Sequence, residues 1–168
     1  MAVSSAANSS TFKVTTPSDR EIRLTRLFDA PRHLVFEATS KPEHIRRWWG
    51  RLGDGYSVPV CDVDFRPGGA WRFVNQTPTG ELAAFRGVYR EIVPPERVVF
   101  TEIFEAFPDE TSVVTSVLTE ENGKTRLTAT VQYSSRDVRD MVLQTGMERG
   151  AAISYDRLEE VAQELQQS

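Results

Sequence analysis

The residues with the clearest chemical potential stand on strand-like runs. Glu102 has the parity of Phe100 and Phe104, so if those rings face inward the carboxylate does too. A carboxyl stripped of water holds its proton to higher pH and can act as an acid or a base. The alternative is a twist or bulge that leaves Glu102 solvated. It is the only catalytic candidate, and a weak one. Arg26 poses the same question, because it shares phase with Leu24 and Phe28. An inward guanidinium there would favour an anionic or carbonyl ligand.

Aromatic residues are the second source of chemistry. Trp48 and Trp49 are adjacent on a short helical run, about 100° apart, so both cannot point into one core. One is expected to anchor helix to sheet and the other to edge a cavity with its N–H available to a ligand. Trp71, Phe73, Phe85, Phe100 and Phe104 lie on expected strands, where such rings either fill a core or line a concave apolar pocket.

Other reactive residues read as ordinary. Asp62 and Asp64 alternate with Cys61, Val63 and Phe65, which puts them on the face opposite the apolar one, with Arg66 in reach of Asp64. His33 and His44 fall on separate short helices without ligand spacing, so no metal site is expected. Cys61 is the only cysteine, which excludes an internal disulfide and fits a small buried hydrophobe in a reducing cytoplasm. No HExxH, GxSxG, GxGxxG or GxxxxGK[ST] occurs, so zinc peptidase, serine hydrolase, dinucleotide and P-loop chemistries have no support, and no cofactor is expected.

The scaffold that must position these groups is one domain of 168 residues. Against 24 Asp and Glu stand 20 Lys and Arg, a net charge of -4, so no basic surface suits nucleic acid. No stretch approaches the roughly 20 apolar residues that span a bilayer, and Met1 to Ser10 lack the features of a secretory signal.

Residues 1–19, rich in Ser, Thr and Ala, are expected to form a mostly flexible arm, with 20–168 as the folded domain. Phe12 and Val14 in the run Thr11 to Thr16 allow a second reading, a strand added to a sheet edge, of this chain or of a second copy in a homodimer. Glu21 to Phe28 alternates as a strand. Asp29-Ala30-Pro31 and Ser40-Lys41-Pro42 each open a short helix, the second ending at Gly50. Six further strands follow, at Val58 to Phe65, Ala70 to Asn75, Leu82 to Ile92, Arg97 to Phe104, Ser112 to Glu120 and Lys124 to Tyr133. Asn122-Gly123 is the clearest hairpin signal. Ser134 with Asp137 resembles a capping box for one long amphipathic helix to the C-terminus, with Gly146 and Gly150 marking a kink or a close packing contact. Strand, two short helices, six strands and a long helix give an α+β fold, an antiparallel sheet of about seven strands curled around the last helix.

At this point the chain resembles the START-like (SRPBCC, Bet v 1-like) superfamily, and more closely its branch of activator of heat-shock-chaperone ATPase homologues, often labelled polyketide cyclase-like. The resemblance rests on Phe28-Asp29-Ala30-Pro31, Pro42-Glu43-His44-Ile45 leading to Trp48-Trp49-Gly50, Asp64-Phe65-Arg66-Pro67-Gly68-Gly69-Ala70-Trp71, Gly87-Val88-Tyr89, Gly123-Lys124-Thr125, and Gly146-Met147-Glu148-Arg149-Gly150. It implies a helix-grip fold with a cavity between sheet and long helix. Many relatives carry Trp where Ala151 stands, so one cavity-lining indole is missing here. The expected ligand-binding set is Phe36, Trp48, Trp49, Trp71, Phe73, Phe85, Phe100, Glu102, Phe104, Met141 and Thr145.

Three functions compete on this footing. The first is a module that binds a small apolar or amphipathic molecule. The second, implied by the family resemblance alone, is a chaperone partner in a stress response. The third is a cyclase, dehydratase or hydrolase using Glu102 as acid or base.

Overall fold

The protein is described by a computed structural model over residues 11–167. The expectation about Met1 to Ser10, and the first half of the arm, lie outside the described residues.

The strands are β1 (Lys13–Thr15), β2 (Glu21–Phe28), β3 (Ser57–Val63), β4 (Ala70–Gln76), β5 (Leu82–Val93), β6 (Arg97–Phe104), β7 (Thr111–Glu121) and β8 (Lys124–Gln132). The described helices are α1 (Arg32–Ser40), α2 (Pro42–Trp48), α3 (Arg136–Leu143) and α4 (Met147–Gln167). All strands form one antiparallel sheet, ordered β1-β2-β8-β7-β6-β5-β4-β3. The two short helices interrupt the meander after β2, so β3 restarts it at the opposite edge, and α4 lies across the concave face. This is the α+β helix-grip architecture.

The sheet has eight strands instead of about seven because part of the supposed arm is ordered. Lys13 pairs with Thr25 and Thr15 with Arg23, so the run adds to this chain's own sheet. Phe12 and Val14 pack on the apolar cluster of Ile22, Leu24 and Ala129, and Thr11 Oγ1 accepts the Leu27 N–H at 2.9 Å. That burial offsets the entropy of ordering a short segment.

The C-terminal helix is also not continuous. α3 ends at Leu143 with Gln144 as its C-cap, Gly146 beyond it adopts φ 81°, a left-handed conformation, and α4 begins anew at Met147. Its sequence periodicity misses this break because both pieces keep apolar residues toward the same sheet. The cap of α3 is Ser135, whose Oγ accepts the Val138 N–H at 3.2 Å, whereas Ser134 donates to Glu110 at 2.5 Å. Asp29 likewise does not occupy the cap of α1, a position taken by Pro31 without a side-chain hydrogen bond. Lys41 holds the cap of α2, while Ser40 donates back to the Phe36 carbonyl at 2.9 Å. Asn122 (φ 53°) and Gly123 (φ 81°) form the expected tight hairpin, with both central residues left-handed.

Candidate functional site

The side chains of β4 to β8 that share one parity line a cavity of about 640 Å³ between sheet and helices. Trp71, Phe73 and Asn75 come from β4, Phe85 and Tyr89 from β5, and Phe100, Glu102 and Phe104 from β6. The roof is α4, through Met147, Gly150, Ala151, Ser154, Tyr155 and Leu158. Small residues on that roof leave room where larger ones would close the space.

Trp48 and Trp49 divide their labour as their spacing requires. Trp48 is buried beside Val35, Ala38 and Leu158, and its Nε1 donates to the Ala38 carbonyl at 2.9 Å. Trp49 turns the other way, edge-on to Phe73 at 5.2 Å and to Phe85 at 5.4 Å. Its Nε1 has no hydrogen-bond partner among the described residues, and both indoles border the cavity.

The Trp71 wall depends on Gly87. The Trp71 Nε1 crosses β5 to reach the Thr101 carbonyl on β6 at 3.2 Å. A Cβ added at Gly87 would lie 1.8 Å from that carbonyl oxygen and 2.7 Å from the indole nitrogen. Only a glycine lets the ring lie there, which fixes Trp71 against Phe73 (4.7 Å) and Phe100 (5.7 Å).

Glu102 faces inward, as its parity with Phe100 and Phe104 indicates. Its carboxylate borders the cavity and makes no hydrogen bond or ion pair among the described residues. Removal from bulk water pushes its pKa up to about 7. Tyr133 and Tyr155 stand nearby, and burial first, then the Glu102 charge, raises the pKa of each phenol. Their hydroxyls accordingly stay protonated at neutral pH.

Arg26 is inward too, yet it is not in the cavity. Its Nη1 is 2.5 Å from Asp156 Oδ1 and its Nη2 3.2 Å from Glu159 Oε2. Glu159 is fully buried, and its other oxygen accepts the Asp29 N–H at 2.8 Å. The guanidinium is thereby spent on holding α4 to β2, which corrects the expectation that it would meet an anionic or carbonyl ligand.

Phe36 is a second correction. It packs edge-on to Phe65 at 5.7 Å and against the Phe28 cluster, outside the cavity lining. Met141 and Thr145 belong to the rim, both exposed, with the Thr145 hydroxyl bonded to the Val142 carbonyl at 2.6 Å. Phe107 and Glu110 form the facing rim in the β6–β7 loop. Asn75, Tyr133, Tyr155 and Ser154 were missed as polar wall residues. Parity with Phe73 marks Asn75 and parity with Val131 marks Tyr133, whereas Tyr155 and Ser154 depend on how α4 is rotated.

The bland readings of other residues agree with their surroundings. Asp62 and Asp64 are exposed, and Arg66 pairs with Asp64 at 2.9 Å. Cys61 is buried, and desolvation pushes its thiol up to about 11. His33 is exposed and His44 half-buried. Among the described residues no three His, Cys, Asp or Glu side chains converge where they could hold a metal, and no helix is long and apolar enough to cross a membrane.

Comparison with known proteins points the same way as the architecture. Residues 29–163 match the model of the family described as Activator of Hsp90 ATPase homolog 1-like protein. No curated protein matches the sequence. Among solved structures, one from Rhodobacter sphaeroides is 23% identical with a TM-score of 0.82, over 92% of this chain and 99% of that one. One from Nitrosomonas europaea is 24% identical with a TM-score of 0.77, covering 91% and 100%. A third, from Mycobacterium smegmatis, is 25% identical with a TM-score of 0.76, covering 89% and 96%. At these identities the likeness is one of fold.

Proposed function

Since the chain belongs to the Activator of Hsp90 ATPase homolog 1-like family, with the helix-grip fold, we propose that it is a binding module for a small, mostly apolar or amphipathic molecule held between the sheet and α4. The observation that carries this reading is the cavity of about 640 Å³, walled by aromatic rings and furnished with a few polar groups that have no partner among the described residues. Protein interiors are close-packed, and a space this large is the size of a small-ligand site. The rings of Trp49, Phe73 and Phe85 supply apolar area, while Glu102 and the two phenols supply orientation.

Native mass spectrometry of the purified protein, followed by solvent extraction, tests the reading directly. A reproducible small-molecule mass supports it. Uptake of the neutral dye Nile red gives a second test, because Ala151→Trp hangs an indole from the cavity roof. The expected result is a folded variant with at least about tenfold weaker uptake. Unchanged uptake by the folded variant would remove the cavity as the site. Met141→Trp and Thr145→Trp, at the rim, are expected to change uptake less.

A second reading draws on Glu102, whose position and pKa near 7 suit a general acid or base in a cyclase, dehydratase or hydrolase step. It requires turnover of a bound compound that Glu102→Gln abolishes. A chaperone partner is proposed only from the family's description, and absence of ATPase stimulation or pull-down with an Hsp90-type chaperone would dismiss it.

A further inference from the structure

The charges that border the cavity are all of one sign. Glu102 on β6 and Glu110 at the rim line it, and among the described residues no Lys, Arg or His does, although the chain carries 20 Lys and Arg. The buried Arg26 stands outside the lining and is paired with Asp156 and Glu159. Glu110 is exposed and accepts the Ser134 hydroxyl, so the enclosed carboxylate without a partner among the described residues is that of Glu102. The missing partner has to come with the ligand.

The rings around the space strengthen the same selection. Phe85 and Phe104 stack at 4.8 Å, Phe107 lies 5.9 Å from Phe104, and Trp49 meets Phe85 at 5.4 Å. Aromatic faces are negative, so they attract an ammonium group and repel a carboxylate or phosphate. Asn75 adds a further acceptor, since its Nδ2 is used on the Gly50 carbonyl at 3.1 Å while its buried Oδ1 has no donor among the described residues.

Resting on the reading of the cavity as a ligand site, we propose that its ligand class is the amphipathic organic cation, an aromatic or aliphatic amine whose ammonium group pairs with Glu102 while its apolar body lies against the ring wall. Fatty acids and other amphipathic anions are excluded by the same charges. The groups facing Glu102 are Ser112 across the β6–β7 ladder, Tyr133 beyond β8 and Tyr155 of α4. None of them supplies a positive charge. Tyr133 and Tyr155 remain neutral, and each can donate to Glu102 or accept from the bound ammonium. Because burial pushes the Glu102 pKa up to about 7, amine binding would shift it to the ionised form and release a proton in proportion to the protonated fraction.

The test is calorimetric titration of the full chain at pH 8 with 4-phenylbutylamine, 4-phenylbutanol and 4-phenylbutyrate, which share one carbon skeleton. The amine is expected to bind at least about tenfold more tightly than the alcohol, and the carboxylate more weakly than either. Glu102→Gln is expected to erase the preference of amine over alcohol, and Glu110→Gln to leave most of it. In the unaltered protein the preference should shrink toward parity at pH 5.5, where Glu102 is protonated. This profile needs no variant and guards against a Gln variant that does not fold.

Nile red uptake separates the possible failures. Equal binding of amine and alcohol to a protein that takes up Nile red overturns the charge selection and leaves the cavity as a ligand site. An amine preference that survives Glu102→Gln overturns the assignment to Glu102. Refusal of Nile red and of all three probes overturns both the selection and the cavity reading beneath it.

Discussion

The two halves of α4 meet the same sheet on opposite terms. Toward its C-terminal end, Val161 and Ala162 are buried in one cluster with Phe28, Val35 and Ala38, none of which lines the cavity, and Leu158 stands at the junction of cluster and cavity. There Glu159 and Asp156 grip Arg26, Arg47 pairs with Glu164, and Gln163 donates to the Asp29 carbonyl at 3.3 Å. Toward its N-terminal end, Gly150, Ala151 and Ser154 face the sheet across the cavity. Polar groups at the C-terminal end of α4 are paired, whereas Glu102, on the sheet beneath the N-terminal end, has no side-chain partner among the described residues. One end of the helix is anchored so that the other can stand away from the sheet. The difference teaches that the open space results from side-chain size and from a clamp at one end, and not from weak packing throughout.

Breaking the clamp should have the largest effect. Arg26→Met leaves Glu159 buried without its cation and is expected to destabilise the protein by about 3–5 kcal/mol in urea unfolding. A loss below about 1 kcal/mol would mean that the tight end does not depend on this pair. Disturbing the wall comes next. Gly87→Ala sets a Cβ against the Thr101 carbonyl and the Trp71 indole, and should cost about 2–3 kcal/mol while quenching or shifting the Trp fluorescence. Unaltered stability would show that the indole has another place to lie.

The unpaired carboxylate sharpens the comparison in the other direction. Glu102 has its pKa raised from 4.5 to about 7 on folding, so the folded state binds this proton more tightly than the unfolded state. Its contribution to stability is therefore greatest below about pH 4.5 and falls as pH rises through 7. Glu102→Gln removes that slope and should raise stability at pH 8 by about 1–2 kcal/mol, with little gain at pH 4. A pH-independent effect of Glu102→Gln would mean that the carboxylate is solvated. Arg66→Ala is the smallest change, expected to cost under about 1 kcal/mol because its pair with Asp64 is exposed. A larger loss would make that hairpin a structural anchor in its own right.

Much of this was legible in the chain itself. Period-two alternation located seven of the strands, and parity placed Glu102 beside Phe100 and Phe104 on the inner face. The adjacency of Trp48 and Trp49 forced them apart before any fold was known. Other features stay open or are misplaced for physical reasons: the run Thr11 to Thr16 allows both an arm and an edge-strand reading, and Gly146 marks a kink or a packing contact. The run around Val14 is too short to bury anything alone, so its order depends on the edge that β2 presents. The apolar phase continues across Gly146, so phase alone does not divide the helix in two. Phe36 has the composition of a pocket residue, but its place on α1 turns it toward Phe65.

Sequence by itself determined the elements, their order and which face of each is apolar, because alternation, caps and turn residues act over a few neighbouring positions. Tertiary structure alone decided which inward polar groups are paired. Arg26 and Glu102 look alike in sequence, each a charge in an apolar phase. Arg26 falls opposite Asp156 and Glu159, which lie 130 or more positions later in the chain, and is neutralised. Glu102 falls opposite small residues and phenols and is left facing a cavity. The separation of the two fates depends on the axial position of α4 over the sheet, a long-range property that no local pattern encodes.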